Sequence, residues 1–197
     1  MSVEEPIDAS GLERRSRTVS WVPPAAARAF TQSLRASGVP TATLRAAMLR
    51  GELPPMPAWD YVGVRPVEAG EGRAICELDP GEYLANGPGS VQGGVLCTLI
   101  DAAITLALGP AVRPPGTTEV TLELKVNFVR PVPIGAGAIR CEAEVEHAGR
   151  QTAVSRARVV DGSGKLFATA VATTLFVATG EQLERVARQT AEPTTDQ

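Results

Sequence analysis

The chain has 197 residues, of which 44% are hydrophobic and 21% charged, with a formal net charge of −3 and a pI near 5.3. These values are typical of a globular protein with a sizeable core, and the acidic balance argues against a nucleic-acid partner. Three cysteines, Cys76, Cys97 and Cys141, lie far apart in apolar segments, which favours reduced core residues over a disulfide framework or a zinc site. The acidic start lacks the apolar stretch of a signal peptide, so we expect a cytoplasmic protein.

The N-terminal segment divides into a polar tail and a helical stretch. Residues 1–20 are polar, and we expect them to be disordered. Helical spacing of apolar residues follows over residues 24–50. The Gly38-Val39-Pro40 tripeptide breaks this stretch into two helices, and Thr41 or Thr43 is a candidate cap for the second.

A proline-rich segment separates this extension from the rest of the chain. Residues 51–57 contain three prolines, and no regular helix can cross them. We therefore expect a tail and helical extension over residues 1–55, one domain over residues 56–180 and a C-terminal tail over residues 181–197.

Beyond the linker the hydrophobic pattern changes to the alternation of β-strands. Two strand-like runs precede an apolar helix and four longer runs follow it: residues 61–68, 72–79, 117–130, 136–148, 151–161 and 165–178. The short connections between the last four predict an antiparallel meander. One helix covers only part of a six-stranded sheet, so we expect an α+β fold in which the sheet wraps around the helix. The apolar sheet face left uncovered predicts a homodimer at least.

The central apolar run, residues 91–108, is long enough to span a membrane, but Gln92 and Asp101 interrupt it and strands follow at once. It therefore predicts a buried core helix that begins at about Gly93. Asp101 near its middle would lie in low dielectric, where an unpaired carboxylate is costly. Such an acid is either satisfied by backbone or hydroxyl partners or belongs to a working site.

The start of this helix offers chemistry that complements the acid. Gly93 and Gly94 open it, where backbone N–H groups lack partners within the helix and the macrodipole is positive. Such an end can polarise a carbonyl, although the glycines equally suit a tight turn and close packing. Thr105 follows Asp101 by four residues, where it can hydrogen-bond the carboxylate, position a water, or bond back to the carbonyl of residue 101.

The spacing of these groups predicts a shared site. Asp101 lies eight residues after Gly93, which is about 12 Å along a helix axis. A carboxylate that attacks a carbonyl held at Gly93 must come within a few ångströms of its carbon. Two antiparallel copies of the helix would bring Gly93 of one chain beside Asp101 of the other.

Three motifs resemble one known family. They are Asn86-x-x-Gly-x-x-Gln-Gly-Gly leading to Asp101, then Val126-Asn-Phe-Val-Arg-Pro131, then His147-Ala-Gly-Arg-Gln151. Together they resemble the hotdog-fold acyl-CoA thioesterases of the PaaI-like, phenylacetate-pathway type. The resemblance covers about residues 51–177 and implies the hotdog fold, a site at a homodimer interface, and dimers paired into homotetramers.

The resemblance also implies roles for the residues in these motifs. Asp101 would be the nucleophile or general base in hydrolysis of an acyl-CoA to a free acid and CoA. Gly93 would donate its backbone N–H to the thioester oxygen, Asn86 would bind the carbonyl or the attacking water, and Thr105 would support the carboxylate. Coenzyme A enters only as part of the substrate, and neither a metal nor another cofactor is implied.

One residue departs from the family pattern. Gln92 stands where the family usually has a histidine, and it can donate a hydrogen bond but cannot take up a proton. Gln92 and Gly94 would contact substrate, whereas Arg130 and Arg150 are either candidates for the phosphates of coenzyme A or ordinary surface charges. The substitution leaves an alternative open, in which the protein binds acyl-CoA or an acyl carrier without catalysis. The single histidine, His147, is expected to be structural or exposed.

Overall fold

The structure is a computed structural model, and it describes residues 41–53, 56–70, 72–178 and 180. The predicted first helix of the extension and the two predicted tails lie outside these residues. Within them, the expected order of two strands, a helix and four strands is confirmed. The helices are α1 (Thr41–Leu49), α2 (Pro57–Val62) and α3 (Gly93–Ala107), with a 3-10 turn at Glu82–Leu84. The strands are β1 (Arg65–Gly70), β2 (Arg73–Leu78), β3 (Thr117–Phe128), β4 (Ile139–Ala148), β5 (Thr152–Asp161) and β6 (Leu166–Ala178).

The six strands form one antiparallel sheet in the order β1-β2-β4-β5-β6-β3, and α3 packs on it. This is the predicted α+β hotdog architecture. The predicted meander is correct for β4 to β6 but wrong for β3, which pairs with β6 at the edge opposite β1. In sequence, α3 lies between β2 and β3. The helix crosses the face of the sheet, so the chain enters β3 at the edge opposite β1. Residues 129–138 then return it to the strand beside β2.

The first predicted strand, residues 61–68, is corrected at its start. Tyr61 and Val62 belong to α2, and β1 begins only at Arg65. Pro57 occupies the first turn of α2, where its missing N–H costs no hydrogen bond. Gly63 then ends the helix in a left-handed conformation, with φ of 89°. These two backbone signals override the strand-like pattern of the side chains.

The core lies between α3 and the concave face of the sheet. Leu99, Ile100 and Ile104 of α3 are 0–1% exposed. The helix packs mainly on β2 and β4. Beyond them, β5 and β6 present small side chains on the same face, which we call the alanine floor: Ala153, Ala157, Ala168, Ala170 and Ala172. Because each of these side chains is a single methyl group, this part of the sheet leaves room for the helix and its large side chains.

The outer face of β2, β4 and β5 differs in surface character from the β3 edge of the sheet. On the convex face of β2, β4 and β5, Glu144 pairs with Arg73 at 2.7 Å and with Arg156 at 2.8 Å. Exposed pairs of this kind contribute little stability individually. At the β3 edge, by contrast, Leu122 and Phe128 are 58% and 54% exposed. No helix of the described chain is long and apolar enough to cross a membrane.

Candidate active site

A tight turn leads into α3, and Asn86 holds it together. The Asn86 side-chain oxygen accepts the backbone N–H of Ser90 at 2.9 Å, and its amide nitrogen donates to the Ser90 hydroxyl at 2.9 Å. Gly89 adopts φ of 81°, a conformation that favours glycine. Asn86 therefore shapes the turn, and the second N–H of its amide donates no hydrogen bond within the described residues.

The start of α3 presents open backbone donors. Gln92 is the N-cap residue, and its exposed side chain makes no capping hydrogen bond. The N–H groups of Gly93 and Gly94 donate no hydrogen bond within the described residues. The ring of Phe128 lies beside them, since a Cβ placed on Gly93 would stand 3.2 Å from Phe128 Cζ. A carbonyl oxygen of a ligand can therefore approach these positively polarised N–H groups beside the Phe128 ring.

Asp101 lies at the margin of the core and not deep within it. Its neighbours Ile100 and Ala102 are fully buried, but Asp101 itself is half-buried. Its Oδ1 accepts a hydrogen bond of 2.8 Å from the hydroxyl of Thr121 on β3. Asp101 is therefore less buried than the expected position in low dielectric, and its carboxylate has a hydroxyl partner, one of the expected alternatives, together with access to solvent.

Thr121 is the residue that sequence reasoning missed, and a β-bulge places it. Thr121 pairs with Thr174 and Glu123 pairs with Thr173, so Leu122 is an extra residue without a cross-strand partner. The bulge changes the alternation of β3, so that Thr121 before it and Leu124 after it both face the helix. A threonine in a strand with alternating side chains gave no signal that distinguished it from its neighbours.

Four residues of α3 form a line on its surface, which we call the open stripe: Gly94, Thr98, Asp101 and Thr105. All four are half-buried or exposed, and from Leu99 onward the residues that flank them are buried. Thr98 bonds back to the Gly94 carbonyl at 3.2 Å. No hydrogen bond joins Thr105 to Asp101 in the described part of the chain, where that contact comes from Thr121.

The structure separates the two ends of the predicted site within one chain. Gly93 and Asp101 belong to the same uninterrupted helix, so eight residues place them about 12 Å apart along its axis. Arg130 lies near the Gly93 end, where it donates to the Leu166 carbonyl at 2.7 Å. The strand register places Arg150, in the turn between β4 and β5, at the opposite end of the sheet. His147 is exposed on β4.

The cysteines offer no nucleophile to this site. Cys76 and Cys141 face each other across β2 and β4 and are fully buried, whereas Cys97 on α3 is half-buried. Burial raises the pKa of Cys76 to about 12 and also raises the pKa of Cys141. Burial also raises the pKa of Cys97, so all three remain neutral thiols near pH 7.

Residues 88–168 match the family model of the thioesterase superfamily. A candidate esterase of Saccharolobus solfataricus is 30% identical over 122 residues, which are 62% of this chain and 84% of that protein. Human acyl-coenzyme A thioesterase 13 is 29% identical over 103 residues, which are 52% of this chain and 71% of that protein.

The fold also matches a solved structure of the predicted type. The E. coli PaaI protein from the phenylacetic acid degradation operon aligns with a TM-score of 0.56 and 25% identity. The alignment covers 61% of this chain and 83% of that structure. The predicted resemblance to PaaI-like proteins is thereby confirmed. The chain belongs to the thioesterase superfamily of hotdog-fold thioester hydrolases.

Proposed function

We propose that this protein hydrolyses an acyl-CoA thioester to a free acid and CoA. The observation that carries the proposal is the combination, on one helix, of open N–H donors at Gly93 and a carboxylate at Asp101 held by Thr121. The donors suit the oxygen of a thioester carbonyl, and the carboxylate suits its carbon or a water beside it. The likeness to a human acyl-coenzyme A thioesterase supports coenzyme A as the leaving group.

Two routes are open to the carboxylate. As a general base, Asp101 takes a proton from water while the water oxygen bonds to the thioester carbon. As a nucleophile, it attacks that carbon directly; the C–S bond breaks to expel the CoA thiolate and leave a mixed anhydride, which water then hydrolyses. In both routes negative charge develops on the carbonyl oxygen, where the Gly93 N–H stabilises it. The C–S bond then breaks, and the CoA thiolate leaves and takes up a proton.

We infer that the site is shared between two copies of the chain. A separation of about 12 Å along α3 is too long for Gly93 and Asp101 of one chain to act on one thioester. The open stripe of α3 leaves a helix face available to a second helix. The exposed apolar residues Leu122 and Phe128 lie on β3, an edge strand with no outer neighbour among the described strands. A homodimer is therefore the working unit, and the family resemblance favours a pair of such dimers.

Asn86, Gln92 and Gly94 surround the carbonyl end of this site. Gln92 is exposed at the helix start, where its amide can donate to the substrate but cannot relay a proton. Thr105, one turn beyond Asp101, is placed to hold the attacking water. Arg130 lies at the same end as Gly93 and suits a phosphate of coenzyme A. Arg150 can contribute only from a second subunit, because it lies at the opposite end of the sheet.

The test is a hydrolysis screen over acyl-CoA esters that detects released CoA thiol. Asp101→Asn keeps the shape of the side chain but removes the base, and we expect at least ~10²-fold loss of kcat. Gln92→His is expected to equal or exceed the wild-type rate. Asp79→Asn is the matched control, because Asp79 is an exposed acid paired with Arg65 at 2.5 Å.

Two outcomes would contradict the proposal. Hydrolysis at the wild-type rate by Asp101→Asn would remove the carboxylate from the mechanism. Tight binding of acyl-CoA by the wild type, without turnover of any ester, would favour the non-catalytic alternative that Gln92 leaves open. Analytical ultracentrifugation tests the dimer, since a monomeric active enzyme would contradict a shared site.

A further inference from the structure

Two hydroxyl groups are buried beneath α3 without a partner. Within the described residues, Ser155 on β5 and Thr174 on β6 are the buried polar side chains, at 0% and 1% exposed. Neither hydroxyl makes a hydrogen bond in this part of the chain. A buried hydroxyl without a partner costs free energy that alanine or valine would not cost. Such a group in a folded protein calls for an explanation, and a role in function is one of them.

Thr174 is the direct neighbour of the residue that orients the candidate catalytic acid. It pairs with Thr121 across β6 and β3, and Thr121 donates to Asp101. The Phe176 N–H donates to the Gln151 carbonyl, on the β5 side of the strand. Because the backbone groups of a strand alternate between its two neighbours, the N–H and C=O of Thr174 also point to β5. Thr121 and Thr174 are therefore a non-hydrogen-bonded pair, in which opposed side chains share a face and approach most closely.

The hydrogen-bonding groups of these two hydroxyls complement each other. Thr121 donates its one hydroxyl hydrogen to Asp101 Oδ1 at 2.8 Å, and its oxygen accepts no hydrogen bond within the described residues. The Thr174 hydroxyl has a hydrogen to donate and no acceptor there. Rotation about χ1 to another staggered rotamer turns the Thr174 hydroxyl toward β3, and threonine pairs of this kind hydrogen-bond across strands. A donor without an acceptor thus lies beside an acceptor without a donor.

We propose that Thr174 is a positioning residue for thioester hydrolysis. Its hydroxyl donates to Thr121 Oγ1 and Thr121 donates to Asp101, so that two hydrogen bonds in series lead to the carboxylate. Hydrogen bonds in series strengthen one another in a low-dielectric interior. A Thr121 oxygen that accepts a bond from β6 also keeps its own hydrogen on the Asp101 side. The inference rests on the proposed function. Because Thr174 is buried and does not contact substrate, its loss lowers kcat and leaves KM nearly unchanged.

The experiment compares removal of the two buried hydroxyls in the full chain. Thr174→Val keeps the shape of the side chain, and we expect roughly three- to tenfold lower kcat, with KM within about twofold and no decrease in Tm. Thr174→Ser restores the hydroxyl and is expected to recover most of the rate. Ser155→Ala is the matched control, because its hydroxyl is equally buried and equally without a partner in the described residues, but β6 separates its strand from β3. Its kcat should equal that of the wild type.

A double-mutant cycle tests whether Thr174 acts through Thr121. If it does, Thr174→Val added to Thr121→Val causes little further loss of kcat. An equal loss in both backgrounds would overturn the proposal, and so would wild-type kcat in Thr174→Val. Equal losses of kcat in Thr174→Val and Ser155→Ala would also overturn it, because they would report a disturbed core and not this pair. If Thr174→Val does not fold, Thr174→Ala removes the same hydroxyl and carries the same cycle.

A crystal structure of the wild-type protein gives a readout that does not depend on activity. We expect Thr174 Oγ1 to lie about 2.7–2.8 Å from Thr121 Oγ1. A separation beyond about 3.5 Å would overturn the proposed hydrogen bond. If the wild type hydrolyses no acyl-CoA, the proposed function fails, and the distance between the two hydroxyl oxygens still decides whether Thr174 supports Thr121.

Discussion

Replacing Thr121 by valine removes one hydroxyl and leaves the shape of the side chain. Thr121 donates to Asp101 Oδ1 at 2.8 Å, and this is the hydrogen bond that orients the carboxylate within the described residues. A hydrogen bond to a charged acceptor contributes about 1.5–3 kcal/mol, and partial solvent exposure places this one lower, at about 1–2 kcal/mol. If that orientation is needed in the transition state, the loss corresponds to a roughly 5- to 30-fold decrease in kcat.

The assay follows release of CoA thiol under saturating acyl-CoA, with thermal unfolding measured in parallel. Valine suits a β-strand at least as well as threonine, so we expect little change in Tm. Thr121→Ser restores the hydroxyl and should recover most of the rate. Thr118→Val is the control, because Thr118 lies on the opposite face of β3. A Thr121→Val enzyme with wild-type kcat would refute the assignment of Thr121 as the support of Asp101.

Two further predictions concern the helix start and the core thiols. Gly93→Ala should lower kcat/KM at least tenfold with little change in Tm, because its methyl group crowds Phe128 and the open N–H groups. Steady-state kinetics measure the effect, with Gly94→Ala as the comparison. An unchanged kcat/KM would contradict the prediction. Cys76 and Cys141 should resist iodoacetamide at pH 8, because burial raises their pKa values and only the thiolate reacts. Mass spectrometry of native and guanidinium-unfolded protein checks this, and rapid native labelling of both would refute it.

The helix that begins at Gly93 could be predicted from sequence because its signals are local. A glycine turn, a long apolar run and one acid all lie within about 20 residues. The hydrophobic alternation of the strands gave their approximate bounds for the same reason. Their spatial order depends on contacts between distant segments, which a local pattern does not encode. That is why β3 was expected beside β4 and is found beside β6.

The partner of Asp101 could not be predicted for a related reason. Thr121 is 20 residues away in sequence, and only the bulge at Leu122 puts its hydroxyl on the helix side. A single extra residue in a strand reverses which side chains face the core. The predicted start of the first strand was wrong because Pro57 and Gly63 define a short helix whose side chains also fit a strand pattern.

The alanine floor beneath α3 can influence the position of Asp101 in the candidate active site from a distance. On β5 and β6 the side chains beneath the helix include five buried methyl groups. Enlarging one of them to valine would lift the helix by a fraction of an ångström, and with it the carboxylate of Asp101 relative to the strand that supports it. Substitutions there would change catalytic rate without altering a single group at the site.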